Sequence, residues 1–276
     1  MKKLINQRPG KLGAILLGAL PFLVLAALYL GASEARLAEN PNDKLLPAVS
    51  SFVEAIDRLA FTPSKRSGQY LFWNDTTASL GRLLTGVGLS GLMALVVGVL
   101  NGTLPYSRAS LSPVVTAISL VPPMAILPVL FIVFGLGELS KVVLIIIGIT
   151  PFLMRDLQQR VLEIPREQLI KAQTLGASSW QIIVRVILPQ ILPRLLASIR
   201  LALGSAWLFL IAAEAIAATE GLGYRIFLVR RYLAMDVIIP YVLWITFLAF
   251  VLDWLLRRLS ALAFPWFDHD GSGGRR

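Results

Sequence analysis

Cysteine is missing from all 276 residues, and histidine occurs once, at His269. The first absence excludes disulfides, thiolate metal sites and cysteine nucleophiles together. The second leaves no imidazole cluster for a catalytic metal. Charge is scarce too: Asp, Glu, Lys and Arg make up 15% of the chain, where an ordinary soluble domain has about a quarter. No Gly-x-x-x-x-Gly-Lys-Ser/Thr loop occurs, so the chain has no Walker cradle for nucleotide phosphates. No catalytic residue, metal ligand or resident cofactor is expected.

What the chain does have is apolar surface: 56% of its residues are hydrophobic, gathered in long runs. The run over residues 12–32 carries no charge and follows Lys2, Lys3, Arg8 and Lys11. It exceeds a signal-peptide core and matches the ~20 residues that span a bilayer. Further runs at 80–100, 113–134, 139–154, 192–213 and 237–256 complete an expected all-α membrane bundle of six spans. Six spans put both termini on one side. Lys and Arg are more frequent in the segments on the side of the N-terminus, so that side is read as cytoplasmic. The formal charge of +10 lies between apolar runs and not in an aromatic-rich patch; the partner is a lipid bilayer, not nucleic acid. Between the first two spans, residues 33–78 are polar, and Phe52, Val53, Ile56, Leu59 and Ala60 form a helical stripe. That stripe suits a short amphipathic helix at the membrane surface or against the outer ends of the bundle. The tail, 268–276, reads as flexible.

Residues 164–193 interrupt the apolar pattern with helix signals of their own. Pro165 and Glu167 suit a first helical turn, and Leu169, Ala172 and Leu175 share one face. Gly176 stops the helix. Ser178 and Gln181 then form a capping box that starts another. The expected shape is helix, glycine elbow, helix, with Leu175, Ala177 and Trp180 near its tip.

Ala172, Gly176, Ala177, Ser178, Trp180, Gln181, Leu188, Pro189 and Pro193 stand at the spacing of a known loop. It resembles the cytoplasmic coupling loop of bacterial ABC importer permeases, the binding-protein-dependent inner-membrane components. The chain from about residue 12 to 266 is similar to their nitrate, sulfonate and taurine branch. The family's Glu-Ala-Ala falls on Ile170, Lys171 and Ala172, of which the alanine at 172 is kept. The resemblance implies a multi-pass protein of the bacterial inner membrane that is not itself an enzyme. It implies an extracytoplasmic segment at 33–78, a permease core at 79–260 with its coupling loop at 156–191, and cytoplasmic ends at 1–11 and 261–276. The implied partners are a second permease copy (a homodimer), two ATPase subunits that carry ATP and Mg, and an extracytoplasmic solute-binding protein. The implied activity is import by alternating access of a sulfonate-, nitrate- or taurine-like solute, or a small nitrogen compound.

Several residues are candidates for the solute path. Pro122, Pro123 and Pro128, with Met124, sit in an apolar run where each proline frees carbonyls that neighbours or water must satisfy. A broken helix lining a path and a merely kinked helix both fit. Glu214 and Trp207 join the tentative path, Glu214 lying either at membrane depth or at the solvated interface. Gly221 and Gly223 suggest a tight turn. Arg200 is expected to snorkel or pair with a neighbouring helix, and Asp253 to pair with Arg257. The competing reading is a self-sufficient secondary transporter or channel. It needs buried coupling acids and related halves, and the sequence offers one such acid, Glu214, with no evident repeat.

Overall fold

The computed structural model describes residues 9–41, 43–65 and 67–267. His269, the 268–276 tail and residues 1–8 lie outside them. All regular elements among the described residues are helical. α1 (Lys11–Glu39) is apolar on every side and buries none of its hydrophobic window in the protein. Such a helix has no core to face and suits a lipid surround. It runs past the predicted end at 32 before Pro41, and Tyr29 and Ser33 tie it to the next segment through the Pro47 carbonyl. α2 (Val49–Ile56) continues as a wide turn, Asp57–Phe61, and packs against the last helix. It buries Ala55 and Ala60 but leaves Val53 and Ile56 exposed, so the predicted stripe divides between two surfaces.

The bundle is centred on α3 (Leu71–Thr103) and α6 (Glu138–Leu162), which make the most extensive helix pair. Glycines permit that closeness: a Cβ at Gly98 would lie 2.8 Å from Leu157, and one at Gly102 2.4 Å from Val161. The pairing runs early residue to early residue, Gly86 against Ile145 and Gly102 against Val161. The two helices are therefore parallel. The chain between them must cross back, and does so as α4 (Pro105–Leu120), a 3₁₀ turn at Pro123–Ile126 and α5 (Leu127–Phe134). The expected third span is thus two pieces bent by 82°. Prolines 122 and 123 remove consecutive backbone donors at the break, as a helix interruption requires.

α7 (Arg166–Thr174) and α8 (Ser179–Ile182) form the elbow. A wide turn, Ile183–Ile187, joins α8 to α9 (Leu188–Ala217). Pro189 has no N–H for the carbonyl one turn back, and a π-type turn is a known response to such a gap. The expected fifth span is consequently the end of one 39-residue rod, Ser179–Ala217, that starts at the elbow. α9 runs antiparallel to α3, with Gly91 against Ile199 and Ser79 against Glu214. α10 (Leu222–Arg230) and α11 (Met235–Ala263) close the bundle.

Among the described residues four helices are long and apolar enough to cross a membrane, and the bent pair, taken as one span, makes five. α6, which holds the expected fourth span, is 25 residues long, carries Glu138, Lys141, Arg155, Asp156 and Arg160, and is not among them.

Candidate functional site

Three features stand out, and the helix directions sort them. Asp75, Ser79 and Arg82 occupy the start of α3, Glu138 the start of α6, Glu214 the end of α9 and Tyr241 the start of α11. Parallel and antiparallel packing brings all of these to one end. The elbow, between the end of α6 and the start of α9, is at the other. A cavity lies between α4, the bend and α6.

At the first end Asp75, Arg82 and Glu214 are buried, Glu138 is exposed, and each charge has an opposite partner. The Arg82 guanidinium donates to Glu214 at 2.7 Å, to the Glu220 carbonyl at 2.9 Å and to Glu138 at 2.8 Å through Nη2, with Nε also on Glu138. Glu214 accepts further bonds from the Ser79 hydroxyl at 2.7 Å and the Gly223 N–H at 2.8 Å. Asp75 accepts from the Gly221 N–H at 2.9 Å, Arg225 at 2.7 Å and the Tyr241 hydroxyl at 3.1 Å. The predicted turn at Gly221 and Gly223 is what aims these N–H groups inward. Gly221 has φ +126°, and a Cβ there would lie 2.6 Å from the Glu214 carboxyl. Buried ions persist only with this degree of pairing and hydrogen bonding.

Glu214 is 0% exposed, so of its two expected settings the solvated interface is corrected: its carboxylate is met by Arg82 and by two dipoles, the Ser79 hydroxyl and the Gly223 N–H. Glu138 lies in the turn before the apolar part of α6. The Arg82 guanidinium, and after it Lys141 at 2.8 Å, hold its carboxyl down at about 2. Asp75, Ser79, Arg82, Lys141 and Arg225 are not among the candidates read from the sequence. A signal was present: Asp75, Ser79 and Arg82 recur at i, i+4 and i+7, a polar stripe on one face of an apolar helix.

The elbow has the predicted geometry. Ala177 N–H bonds to the Ala172 carbonyl at 3.0 Å and Gly176 N–H to that of Gln173 at 2.9 Å, with Gly176 at φ +79°. This is a Schellman ending. The capping box is complete: Ser178 N–H to Gln181 Oε1 at 2.8 Å and Gln181 N–H to Ser178 Oγ at 3.3 Å. Pro165 stands one residue outside α7 and not in its first turn. The expected Leu169, Ala172, Leu175 face is corrected: Leu169 and Ala172 pack on the core, whereas Leu175, at the C-cap, has left the helical register and is 87% exposed. Trp180 is 71% and Ile170 55% exposed. Lys171 is exposed, Leu188 and Pro189 are half-buried, and Pro193 is buried in α9.

The cavity, about 770 Å³, is lined by α4, by Val121 and Pro123 at the bend, by α6 from Ile147 to Gln159, and by Phe209. Of the tentative path residues it takes Pro123. Pro122, Met124 and Pro128 are exposed on the bend but do not line it. Trp207 is buried in the bundle, its Nε1 without a hydrogen-bond partner, while its neighbour-but-one Phe209 reaches the cavity. Arg200 and Asp253 make the expected pairings, to each other at 2.8 Å and from Asp253 to Arg257 at 3.3 Å.

A family model described as "Binding-protein-dependent transport system inner membrane component" matches residues 86–263, from α3 to the end of α11. The chain belongs to this permease family. The taurine transport system permease protein TauC of Escherichia coli (strain K12) is 37% identical over 194 residues, 70% of each chain. The putative aliphatic sulfonates transport permease protein SsuC of the same organism is 28% identical over 247 residues, 90% of each. The bicarbonate transport system permease protein CmpB of Synechocystis is 28% identical over 271 residues, 96% of this chain and 93% of that protein. Among solved structures, inward-facing MetNI methionine ABC transporter matches with a TM-score of 0.62 at 21% identity, over 72% of this chain and 98% of that one. That likeness is one of fold. The permease is therefore a multi-pass membrane component of a transport system and not an enzyme, and its relatives form the sulfonate, taurine and bicarbonate branch.

Proposed function

We propose that this permease forms the path by which a small anion of the sulfonate, taurine or bicarbonate kind crosses the inner membrane, driven by separate ATPase subunits. In this reading it has six spans: α1, α3, the bent pair α4 and α5, α6, α9 and α11. α6 crosses with Lys141 held on Glu138 and Arg155 on Ser119, and both termini face the cytoplasm. Two copies make the path. Two ATPase subunits, holding ATP and Mg, receive the elbow, and an extracytoplasmic binding protein delivers the solute.

The observation that carries this reading is the elbow's tip. Leu175 and Trp180 are exposed on a turn fixed by a Schellman ending and a capping box. Apolar side chains held rigidly outward are the form of an anchor for a partner's pocket. The rod from Ser179 to Ala217 is about 58 Å long at 1.5 Å per residue. It links that tip directly to Glu214 and the buried charges. Closure of the ATPases on ATP would push one end of the rod while the ionic end acts as its pivot, alternating access to the cavity between. The test is nucleotide hydrolysis by the co-purified complex. Trp180→Ala with Leu175→Ala is expected to lose most binding-protein-stimulated hydrolysis while the permease stays in the membrane. Undiminished stimulation contradicts the proposal.

A further inference from the structure

Arg155, an exposed residue on the cavity wall, differs from the ion-paired arginines of the bundle. Arg82, Arg200 and Arg225 each hold a carboxylate. Arg155 has none within ion-pair distance among the described residues. Its Nη1 donates to Ser119 Oγ at 3.0 Å, and Ser119 in turn donates to the Thr116 carbonyl at 2.7 Å. Both side chains line the cavity of about 770 Å³ under the bend. The one acidic residue on its wall, Asp156, is already engaged: it pairs with Arg160 at 3.5 Å and accepts from Ser198. The cavity's unbalanced charge is therefore positive. It sits opposite apolar surface from Pro123, Ile147 and Phe209.

From this geometry we infer that Arg155, oriented by Ser119, is an anion-binding station inside the cavity, taking the oxyanion end of a solute while the apolar wall takes any short alkyl part. A guanidinium keeps several donors in a flat fork after one is spent on a hydroxyl, and that fork matches a sulfonate or carboxylate. The inference rests on the permease reading above and adds a residue to it.

The lack of cysteine makes a direct test simple. Thr116→Cys places a single thiol on the cavity wall of the full chain, assembled with its ATPase subunits in zwitterionic-lipid nanodiscs. Its labelling is followed with methanethiosulfonate reagents that are anionic (ethylsulfonate) or cationic (ethyltrimethylammonium). Each rate is normalised to that of a small free thiol. A local field of one guanidinium is expected to favour the anionic reagent about tenfold. Arg155→Gln should bring the ratio near one, Arg155→Lys should keep it, and millimolar ethanesulfonate should slow labelling where equal chloride does not. Equal rates for both reagents, or a ratio indifferent to Arg155→Gln, overturn the inference. So does a ratio that falls on adding anionic lipid but ignores ethanesulfonate, which would assign the arginine to a lipid headgroup. Uptake by the wild-type complex is measured beside it. A charge preference without any uptake would sink the permease reading and leave the site standing; uptake without a preference does the reverse.

Discussion

Where Asp75, Arg82, Glu138, Glu214 and Arg225 meet, charges that are mostly buried face opposite ones, and backbone N–H groups fill further acceptor positions. At the elbow, charge has little part: hydrogen bonds within the backbone fix the turn, and Leu175 and Trp180 are left outside. The first end turns its charges and hydrogen bonds on one another. The second is internally modest and outwardly apolar. One rod joins them, so a push at the elbow meets a bundle whose far end resists being pulled apart. Rigidity at one end and an unfilled surface at the other is what a lever needs.

The comparison can be broken most forcefully at the ionic end. Glu214→Ala leaves Arg82 buried with one carboxylate fewer, and removing one member of a buried pair costs about 3–5 kcal/mol. The expected result is a permease that fails to accumulate, or whose unfolding midpoint in detergent falls steeply. Replacing both, Arg82→Met with Glu214→Leu, should cost less than the two single changes summed, because no charge is left stranded. Equal additivity would mean that the pair is not coupled. At the elbow, Gly176→Val should leave folding nearly intact. A branched side chain at φ +79° meets no neighbour but carries a strain of about 1–2 kcal/mol. The strain should appear as a loss of stimulated ATP hydrolysis and not of membrane protein; the reverse pattern would place the elbow among the structural elements.

The effect of pH is smaller and separates the ends further. Arg82 first, and Lys141 after it, hold Glu138 at about 2, below the ~4.3 of a free glutamate. Its contribution to stability is thus fully present above pH ~4.3 and is lost as pH falls toward 2. Because the Glu138 side chain is 63% exposed, solvent screening keeps that contribution under about 1 kcal/mol. Glu138→Gln should remove the acid sensitivity in that window, read by thermal unfolding across pH. At the outer surface Asp43 is lowered too, by the Leu45 N–H and then by Arg36. Asp43→Asn is expected to change acid stability least of all.

The elbow was legible because each of its devices is local. A glycine after a short helix and Ser-x-x-Gln name their hydrogen bonds in the sequence itself, and residues 175–181 fold as those signals demand. The exit of Leu175 from the helical face was not legible, since a C-cap residue obeys the turn and not the 3.6-residue period. The apolar runs gave α1, α3, α9 and α11, but their ends were set by tertiary partners. α3 begins at Leu71 because Asp75, Ser79 and Arg82 can be buried against residues more than fifty positions away. No single-chain pattern reports such a pairing. The same holds for the cavity: Arg155 read as a charge flanking a span, and the contact with Ser119 across 36 residues turns it inward. The prolines left a broken helix and a kinked one both open, and the 82° bend goes with the parallel pairing of α3 and α6.

The most direct measurement is crosslinking from each end of the rod's bundle. Trp180→Cys and, as the control, Val53→Cys (both exposed) would each introduce the chain's single thiol in the complex with its ATPase subunits. A bifunctional thiol-to-amine reagent is then applied with and without ATP. The lever account predicts a crosslink to the ATPase from position 180, changed in yield by ATP, and none from position 53. A crosslink from position 53, or none from position 180 in an assembled complex, would contradict it.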